Sequence, residues 1–579
     1  MQPGKKLTKS MLPTLLCLLS LLLVACGGSG GSTTGNKADA SKQIFVLPDL
    51  KVSDIKTFDP GLVGDAPSGQ AIGMVFTGLV NVNAKGQIVK EMAQSYSTGA
   101  DGTTWTFKLR PNLKFSDGTS LTSADVVYSI DRALDPALKS GASPAYLNLV
   151  LDSDKRLAGK IKTLIGDSLL APDPQTVIIK TNKKAAYFLD ALSYPTSYVV
   201  EKSMIQKYGN NFADHLAQGI GGDGPWKVSK YQHGKDIEFV PNPYYYGAKP
   251  QLKKVILPFY TDLSTAYNAY QANQIDQTQV PAAQISQAKT LPSGQYQTIP
   301  VLTIDYFAMN YLTKPFDNIK IRQAFDLAIN KDEIAHNVHN DDAVASNHIV
   351  PQGMPGYNPN LKGPDGTTST AGNPTMAKQL FQQGMKEEGY TQATFPAITF
   401  TVASQGNVES RNVYAAAQQM WKTALGITVK IDDIDFNKAL DVISAANNNP
   451  KGLQMWSIAW AADYPDAQDW TTLQFDNGVS SNNMNYGQNK SSNAATQQQT
   501  QKLLEQADGN LNPTSRIQQY NQAEQQLVND VAWLPIDQRI YTQVVKPCVV
   551  GFVENDQSNN WGNVYITNAT PCANTSQYQ

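Results

Sequence analysis

Three constellations in this chain have the residue types of covalent or metal chemistry, and each must be judged by the element that would position it. Gly27-Gly28-Ser29-Gly30-Gly31 has the Gly-x-Ser-x-Gly spacing of a nucleophile elbow, a turn that works only between a strand and a helix. Here it lies in a run of glycine and serine with neither. Gly219-Ile220-Gly221-Gly222-Asp223-Gly224 has dinucleotide-binding spacing, yet Pro225-Trp226 stand where a phosphate-binding helix should begin. His336, His339 and His348 gather three of the five histidines beside Asp341 and Asp342. Two of them on one helix face could ligate zinc or nickel, whereas a solvated helix end needs no ion. Carboxylates are numerous enough that a glycosidase-type pair stays open on composition alone. With no nucleophile or zinc-protease motif surviving its context, the expectation is a binding protein, not an enzyme, without metal or cofactor.

The first residues say where that binding takes place. Lys5, Lys6 and Lys9 precede a charge-free run from Ser10 to Ala25, too short for a comfortable membrane span and ordered like an export signal. It ends in Leu23-Val24-Ala25-Cys26, which resembles a bacterial lipobox and implies that Cys26 becomes a lipid-modified first residue. The Gly/Ser-rich stretch after it is a flexible coil; about fifteen such residues span roughly 20 Å. Residues 1–25 are therefore expected as a signal peptide and 26–41 as a lipidated tether.

Removing the leader deletes three lysines and no acid, so the formal charge goes from -2 to -5 over the remaining 554 residues. So mild a balance excludes a nucleic-acid partner that needs a basic stripe, and the length calls for two to four domains. Beyond the leader and Cys26, only Cys548 and Cys572 remain. In an oxidising exterior they are expected to form a disulfide.

From Ile44 onward the pattern is mixed α and β without repeats. Trp105 to Arg110 alternates apolar and polar, the period of a half-buried strand. Thr122-Ser123-Ala124-Asp125 has capping-box spacing before a helix whose apolar face is Val126, Val127, Ile130 and Leu134. The Gln- and Asn-rich segment from Asn482 to Gln526 is punctuated by Leu503, Leu504, Leu511 and Ile517, with Leu527 following, which predicts polar-surfaced helices and not a tail.

Several blocks together carry a resemblance. Met92 to Tyr96, Asp101-Gly102-Thr103-Thr104-Trp105-Thr106-Phe107-Lys108-Leu109-Arg110, Lys114-Phe115-Ser116-Asp117-Gly118-Thr119 and Ser123 to Ile130 are similar to the signature region of the family 5 extracellular solute-binding proteins. These are the oligopeptide- and dipeptide-binding components of ABC importers. Gly222-Asp223-Gly224-Pro225-Trp226, Asn242-Pro243-Tyr244-Tyr245-Tyr246-Gly247-Ala248-Lys249-Pro250 and Phe316 to Lys331 match further blocks in order. The resemblance implies an α/β, two-lobed periplasmic-binding-protein-like fold (type II, cluster C), with an extra inserted domain and a hinge-linked cleft between lobes. Carried over, domain I is 42–78, 200–305 and 530–579, domain II is 79–199 and domain III is 306–529.

The same resemblance nominates ligand-binding residues. In Trp460-Ala461-Ala462-Asp463-Tyr464-Pro465-Asp466, Asp463 stands where peptide binders hold the substrate's α-ammonium group, a contact worth roughly 1.5 to 3 kcal/mol; an Asx turn before Tyr-Pro is the structural alternative. Trp460 matches an aromatic lining the first side-chain pocket, with a core tryptophan as alternative, and Tyr464 is taken with them. Gly64-Asp65-Ala66-Pro67 corresponds to the segment whose backbone pairs with an extended peptide. Asp65 replaces the usual small residue there, so its side chain is expected either to obstruct or to add a polar contact, and Ala66 is the safer transfer. Gly222 and Gly224 are read as structural glycines with unusual φ.

The expected function is thus a lipid-anchored extracytoplasmic peptide receptor, on the cell surface or in a periplasm. Its partners are permease subunits with cytoplasmic ATPases, it binds no nucleic acid, and it is a monomer. The alternatives are the same fold carrying an oligosaccharide or a nickel or other metal chelate, for which 26 tyrosines and 8 tryptophans would suit stacking, and lastly a secreted hydrolase.

Overall fold

The computed structural model describes residues 36–83, 86–292, 294–479, 481–553 and 561–578. The export leader, Cys26 and the Gly/Ser run lie outside the described residues. Among those described, no helix is long and apolar enough to cross a membrane.

The run Ile44-Phe45-Val46-Leu47 is apolar throughout because both of its faces are covered. Strand Ile44–Val46 pairs in parallel with Lys254–Tyr260, which continues to Asp236–Pro241 and Trp226–Gln232, with Asp49–Leu50 added alongside. Phe45 and Leu47 join one core and Ile44 and Val46 another on the opposite face. This five-stranded sheet is the centre of lobe I.

Lobe II is an antiparallel sheet of Ala93–Thr98, Thr104–Leu109, Thr176–Lys180 and Leu169–Asp173. Trp105, Phe107 and Leu109 alternate inward and pack on helix Ser123–Ala133 through Val126, Val127 and Ile130. The capping spacing is realised: the Thr122 N–H donates to Asp125 Oδ2 at 2.8 Å.

The third sheet is built around two long antiparallel strands, Tyr296–Met309 and Leu534–Val545. Met455–Ala461 pairs antiparallel with the first, and Ile398–Val402 and Val429–Asp433 follow in parallel. Gln277–Gln279 and Ala343–Ala345 pair with the second. Along Tyr296–Met309, Ile304, Tyr306 and Ala308 enter one core while Phe307 and Met309 enter the other, the period of a strand buried on both sides. The register between the long strands is interrupted between Pro300 and Ile304. Proline has no N–H to give to the ladder, which suits it to the edge of such an interruption.

Three expectations change. Residues 36–41 are not loose tether: the Ala38 N–H donates to the Ile566 carbonyl at 2.9 Å, and the Gln43 amide donates to the carbonyls of Ala38 and Ile566 at 2.8 Å each. Backbone pairing with the C-terminal segment outweighs the polar composition of this stretch. Gly222 and Gly224 are required by close approach, not by φ, since a Cβ would lie 2.5 Å from the Val75 carbonyl oxygen at the first and 2.7 Å from that of Met74 at the second. The Gln- and Asn-rich segment does fold into helices Ala494–Asp508 and Pro513–Asn529, but Leu511 lies in the turn between them and Ile517 is exposed. Gln497 and Gln501 are buried in their place, tied to Gly487 N–H and to the carbonyls of Phe475 and Tyr486.

Cys548 and Cys572 are joined, closing a separation of 24 residues, beside the small ladder Val549–Val550 with Tyr565–Ile566. Replacing both by serine is expected to destabilise lobe I by about 3 to 4 kcal/mol. The thermal unfolding midpoint of the double variant should match that of reduced wild type; equal midpoints for oxidised wild type and the variant would refute this.

Candidate functional site

The strand Met455–Ala461 delivers its penultimate residue, Trp460, opposite Ile304 of the long strand. The chain then turns, held at two points. The Ala462 N–H donates to the Leu302 carbonyl at 2.8 Å, and the Asp463 N–H donates to Asp469 Oδ2 at 3.1 Å. The Trp460 indole N–H reaches the same oxygen at 3.4 Å. Asp466 caps the short helix Ala467–Trp470 and receives Arg516 in a bidentate pair at 2.6 Å for each contact. Trp460 is half-buried, in contrast to the fully buried Trp456, Trp470 and Trp533.

The Asp463 carboxylate has no cationic partner among the described residues. Its neighbour is the Tyr146 hydroxyl of lobe II. Burial pushes its pKa up to about 6, with the Tyr146 hydrogen bond acting in the opposite direction. Tyr146 stacks on Tyr194 with ring centroids 3.6 Å apart and planes at 12°. Burial, and then the charges of Asp463 and of Asp65, raise the Tyr194 hydroxyl to about 12. Tyr194 is therefore within electrostatic reach of Asp463 and of Asp65, two acids from segments far apart in the sequence.

On the lobe I side, Asp65 is extended (φ -150°, ψ 154°) and caps helix Ala66–Val75. Its carboxylate accepts from Ser68 N–H at 2.9 Å and from Ser68 Oγ at 3.0 Å, so it neither obstructs nor stands free. Ala66 is the first helical residue, which moves the strand-like stretch to Val63, Gly64 and Asp65. Among the described residues, the N–H groups of Gly64 and Asp65 and the Gly64 carbonyl have no partner within the chain. Such an unpaired edge can add an extended chain.

Tyr464 departs from its expected place at a ligand. It is 4% exposed, belongs to the apolar core of lobe II, lies parallel to Tyr187 at 6.4 Å and meets Tyr146 edge-on at 6.3 Å. Its hydroxyl donates to Gln468 Oε1. It pins lobe III to lobe II, which the Ala186 N–H also joins by donating to the Asp508 carbonyl at 2.8 Å.

The three histidines go to three different partner sets. His336 is exposed and pairs with Asp341 at 2.9 Å. His339 lies between Asp537 and Glu409, at 3.3 and 2.5 Å; burial opposes its charge, yet the two carboxylates outweigh it and push its pKa up to about 10. His348 packs against Tyr357 at 4.4 Å and burial lowers it to about 4. Among the described residues, metal-ligating side chains converge at Asp276, Cys548 and Cys572, where the two sulfurs are already bonded to each other.

Tyr146, Tyr194 and Asp469 escaped the sequence reading. Nothing in their local spacing marks them, because each acquires its role from a segment brought in by the fold.

The description of the family model that matches residues 87–482 is bacterial extracellular solute-binding proteins, family 5, middle. The chain is 26% identical over 536 residues to the oligopeptide-binding protein OppA of Bacillus subtilis, covering 90% of this chain and 93% of that one. It is likewise 26% identical over 560 residues to the periplasmic oligopeptide-binding protein OppA of Salmonella typhimurium, covering 95% and 96%. The unliganded open form of the periplasmic murein tripeptide-binding protein MppA superposes with a TM-score of 0.74 at 24% identity, over 92% of this chain and 99% of that one. Its fold is the mixed α/β, two-lobed binding architecture described above.

Two substitutions separate the pin and the cap from the ligand site. Tyr464→Ala should lower stability by about 3 to 5 kcal/mol, as for large aromatic truncations, and Asp65→Ala by about 1 kcal/mol, as for a lost helix cap. Urea unfolding reads both; a Tyr464→Ala midpoint equal to wild type would remove the pin.

Proposed function

Because the chain belongs to family 5 of the bacterial extracellular solute-binding proteins, we propose that it is a lipid-anchored receptor of an ABC importer, capturing oligopeptides between its lobes and delivering them to the permease. Lipidation at Cys26 holds it outside the membrane, and the root of the tether leaves lobe I beside the C-terminal disulfide. The lobe boundaries are those expected from the resemblance, 42–78 with 200–305 and 530–579, 79–199, and 306–529. Lobe I and lobe III close on the ligand about the two long strands, and the closed state is what the permease with its cytoplasmic ATPases receives.

The observation that carries this reading is the Asp463 carboxylate, desolvated and without a cation among the described residues. A buried carboxylate of that kind is costly until a positive group arrives. The α-ammonium of a peptide is such a group, present in every peptide whatever its side chains. The half-buried Trp460 ring beside it suits a first side chain, and the unpaired Gly64–Asp65 backbone suits an extended main chain. None of these contacts reads sequence, which fits a receptor for many peptides. A neutral oligosaccharide would leave Asp463 uncompensated.

The reading is tested with trialanine by calorimetry. Asp463→Ala should weaken binding roughly 10- to 150-fold, the equivalent of a charge-assisted contact; unchanged affinity would end the amine-capture role. Binding requires the Asp463 anion and the peptide ammonium together. Affinity should therefore be flat between pH 6 and about 8, fall about tenfold per unit below 6 as Asp463 takes a proton, and fall again above 8 as the amine loses one. Native mass spectrometry of the purified protein should release mixed short peptides, whereas a sugar or a metal chelate would reassign the cargo.

A further inference from the structure

Directly behind the amine acceptor lies a second carboxylate that no ligand role explains. Asp469 is fully buried within helix Ala467–Trp470. No cation pairs with it among the described residues, and its Oδ1 has no hydrogen-bond partner. Its Oδ2 accepts two N–H groups at once, the main-chain N–H of Asp463 at 3.1 Å and the indole N–H of Trp460 at 3.4 Å. The helix that carries it is anchored by the Asp466–Arg516 pair, with both contacts at 2.6 Å, and the Gln474 amide donates to the Asp469 carbonyl at 3.3 Å. The oxygen is thus held from behind by a rigid base and grips the two ligand-facing residues from below.

A buried acid half of whose hydrogen-bonding capacity is unused is a poor choice for stability, since an apolar side chain of similar volume would cost less. What the acid supplies is convergence. Trp460 is the penultimate residue of its strand and Asp463 lies in the turn beyond it, where the Ala462 N–H also donates to the Leu302 carbonyl. One shared acceptor ties the tilt of the indole to the position of the Asp463 backbone.

We propose that Asp469 is a positioning residue for ligand capture, setting the Trp460 ring and the Asp463 carboxylate at a fixed mutual geometry so that an amine and the side chain next to it are bound as one unit. The proposal rests on the reading of Asp463 as the amine acceptor. It adds a residue that touches no ligand, and it makes the Trp460 indole a reporter of the site.

The test uses the whole mature protein with 15N-labelled tryptophan, comparing wild type, Asp469→Ala and Asp469→Asn, with the Trp460 indole resonance assigned by its loss in Trp460→Phe. In Asp469→Ala the indole N–H should shift and exchange faster with water, and trialanine affinity should fall at least tenfold. Asp469→Asn, which keeps an acceptor oxygen, should restore the resonance and bring affinity to within about threefold of wild type. Asp469→Leu, similar in volume but with no acceptor, replaces the alanine variant if that one does not fold. An indole resonance unmoved in Asp469→Ala overturns the proposal, as does a shifted resonance with full trialanine affinity. If wild type itself fails to bind trialanine, the peptide-amine reading falls, and the indole comparison still decides whether Asp469 holds Trp460.

Discussion

The molecule depends on one pair of antiparallel strands. Tyr296–Met309 and Leu534–Val545 pair near lobe I, where Tyr296 faces Val544, and continue into lobe III, where Phe307 faces Leu534. The same ladder thus serves both lobes, with a break in its register between Pro300 and Ile304. In the closure proposed above, that break is where the angle between lobes changes, because closely packed interiors resist deformation far more than an interrupted strand does.

The residues proposed to bind the ligand inherit their position from that ladder. Strand Met455–Ala461 is paired along Tyr296–Met309, so the turn that carries Asp463 emerges beside the break in register, fastened to Leu302 by the Ala462 N–H. Lobe II then comes in over the turn. Tyr464 enters its core and Tyr146 reaches Asp463, so the proposed amine acceptor is the residue directly before the interlobe pin.

Electrostatics at this place run against stability. Asp463 and Asp469 are acids withdrawn from water with no cation among the described residues to compensate them; burial raises the pKa of both, and the charge of Asp463 raises that of Asp469 further. Some other buried acids are paired with cations: Asp59 with Arg132, Asp466 with Arg516, Asp326 with Lys331. Pairing offsets the cost of burying those charges, a compensation that Asp463 and Asp469 lack among the described residues.

Much of this was legible in the sequence. The alternation in Trp105 to Leu109, the capping spacing at Thr122 and the apolar run at Ile44 are local patterns, and the periods of strand and helix decide them without help from distant residues. Family membership was legible too, because several short blocks in order are a property of the chain itself. The helix cap at Asp65 could also have been read, with Pro67 in the first turn and Ser68 three residues on. Tertiary structure alone decided which groups face each other: that Tyr464 is a pin and not a ligand contact, that His336, His339 and His348 disperse to separate carboxylates and rings, that Tyr146 and Tyr194 meet Asp463, and that Asp469 lies beneath it. The physical reason is the same throughout. Local periodicity fixes which side of an element is apolar, whereas the environment of a polar group is set by segments far away in sequence, whose arrival only the packed fold determines.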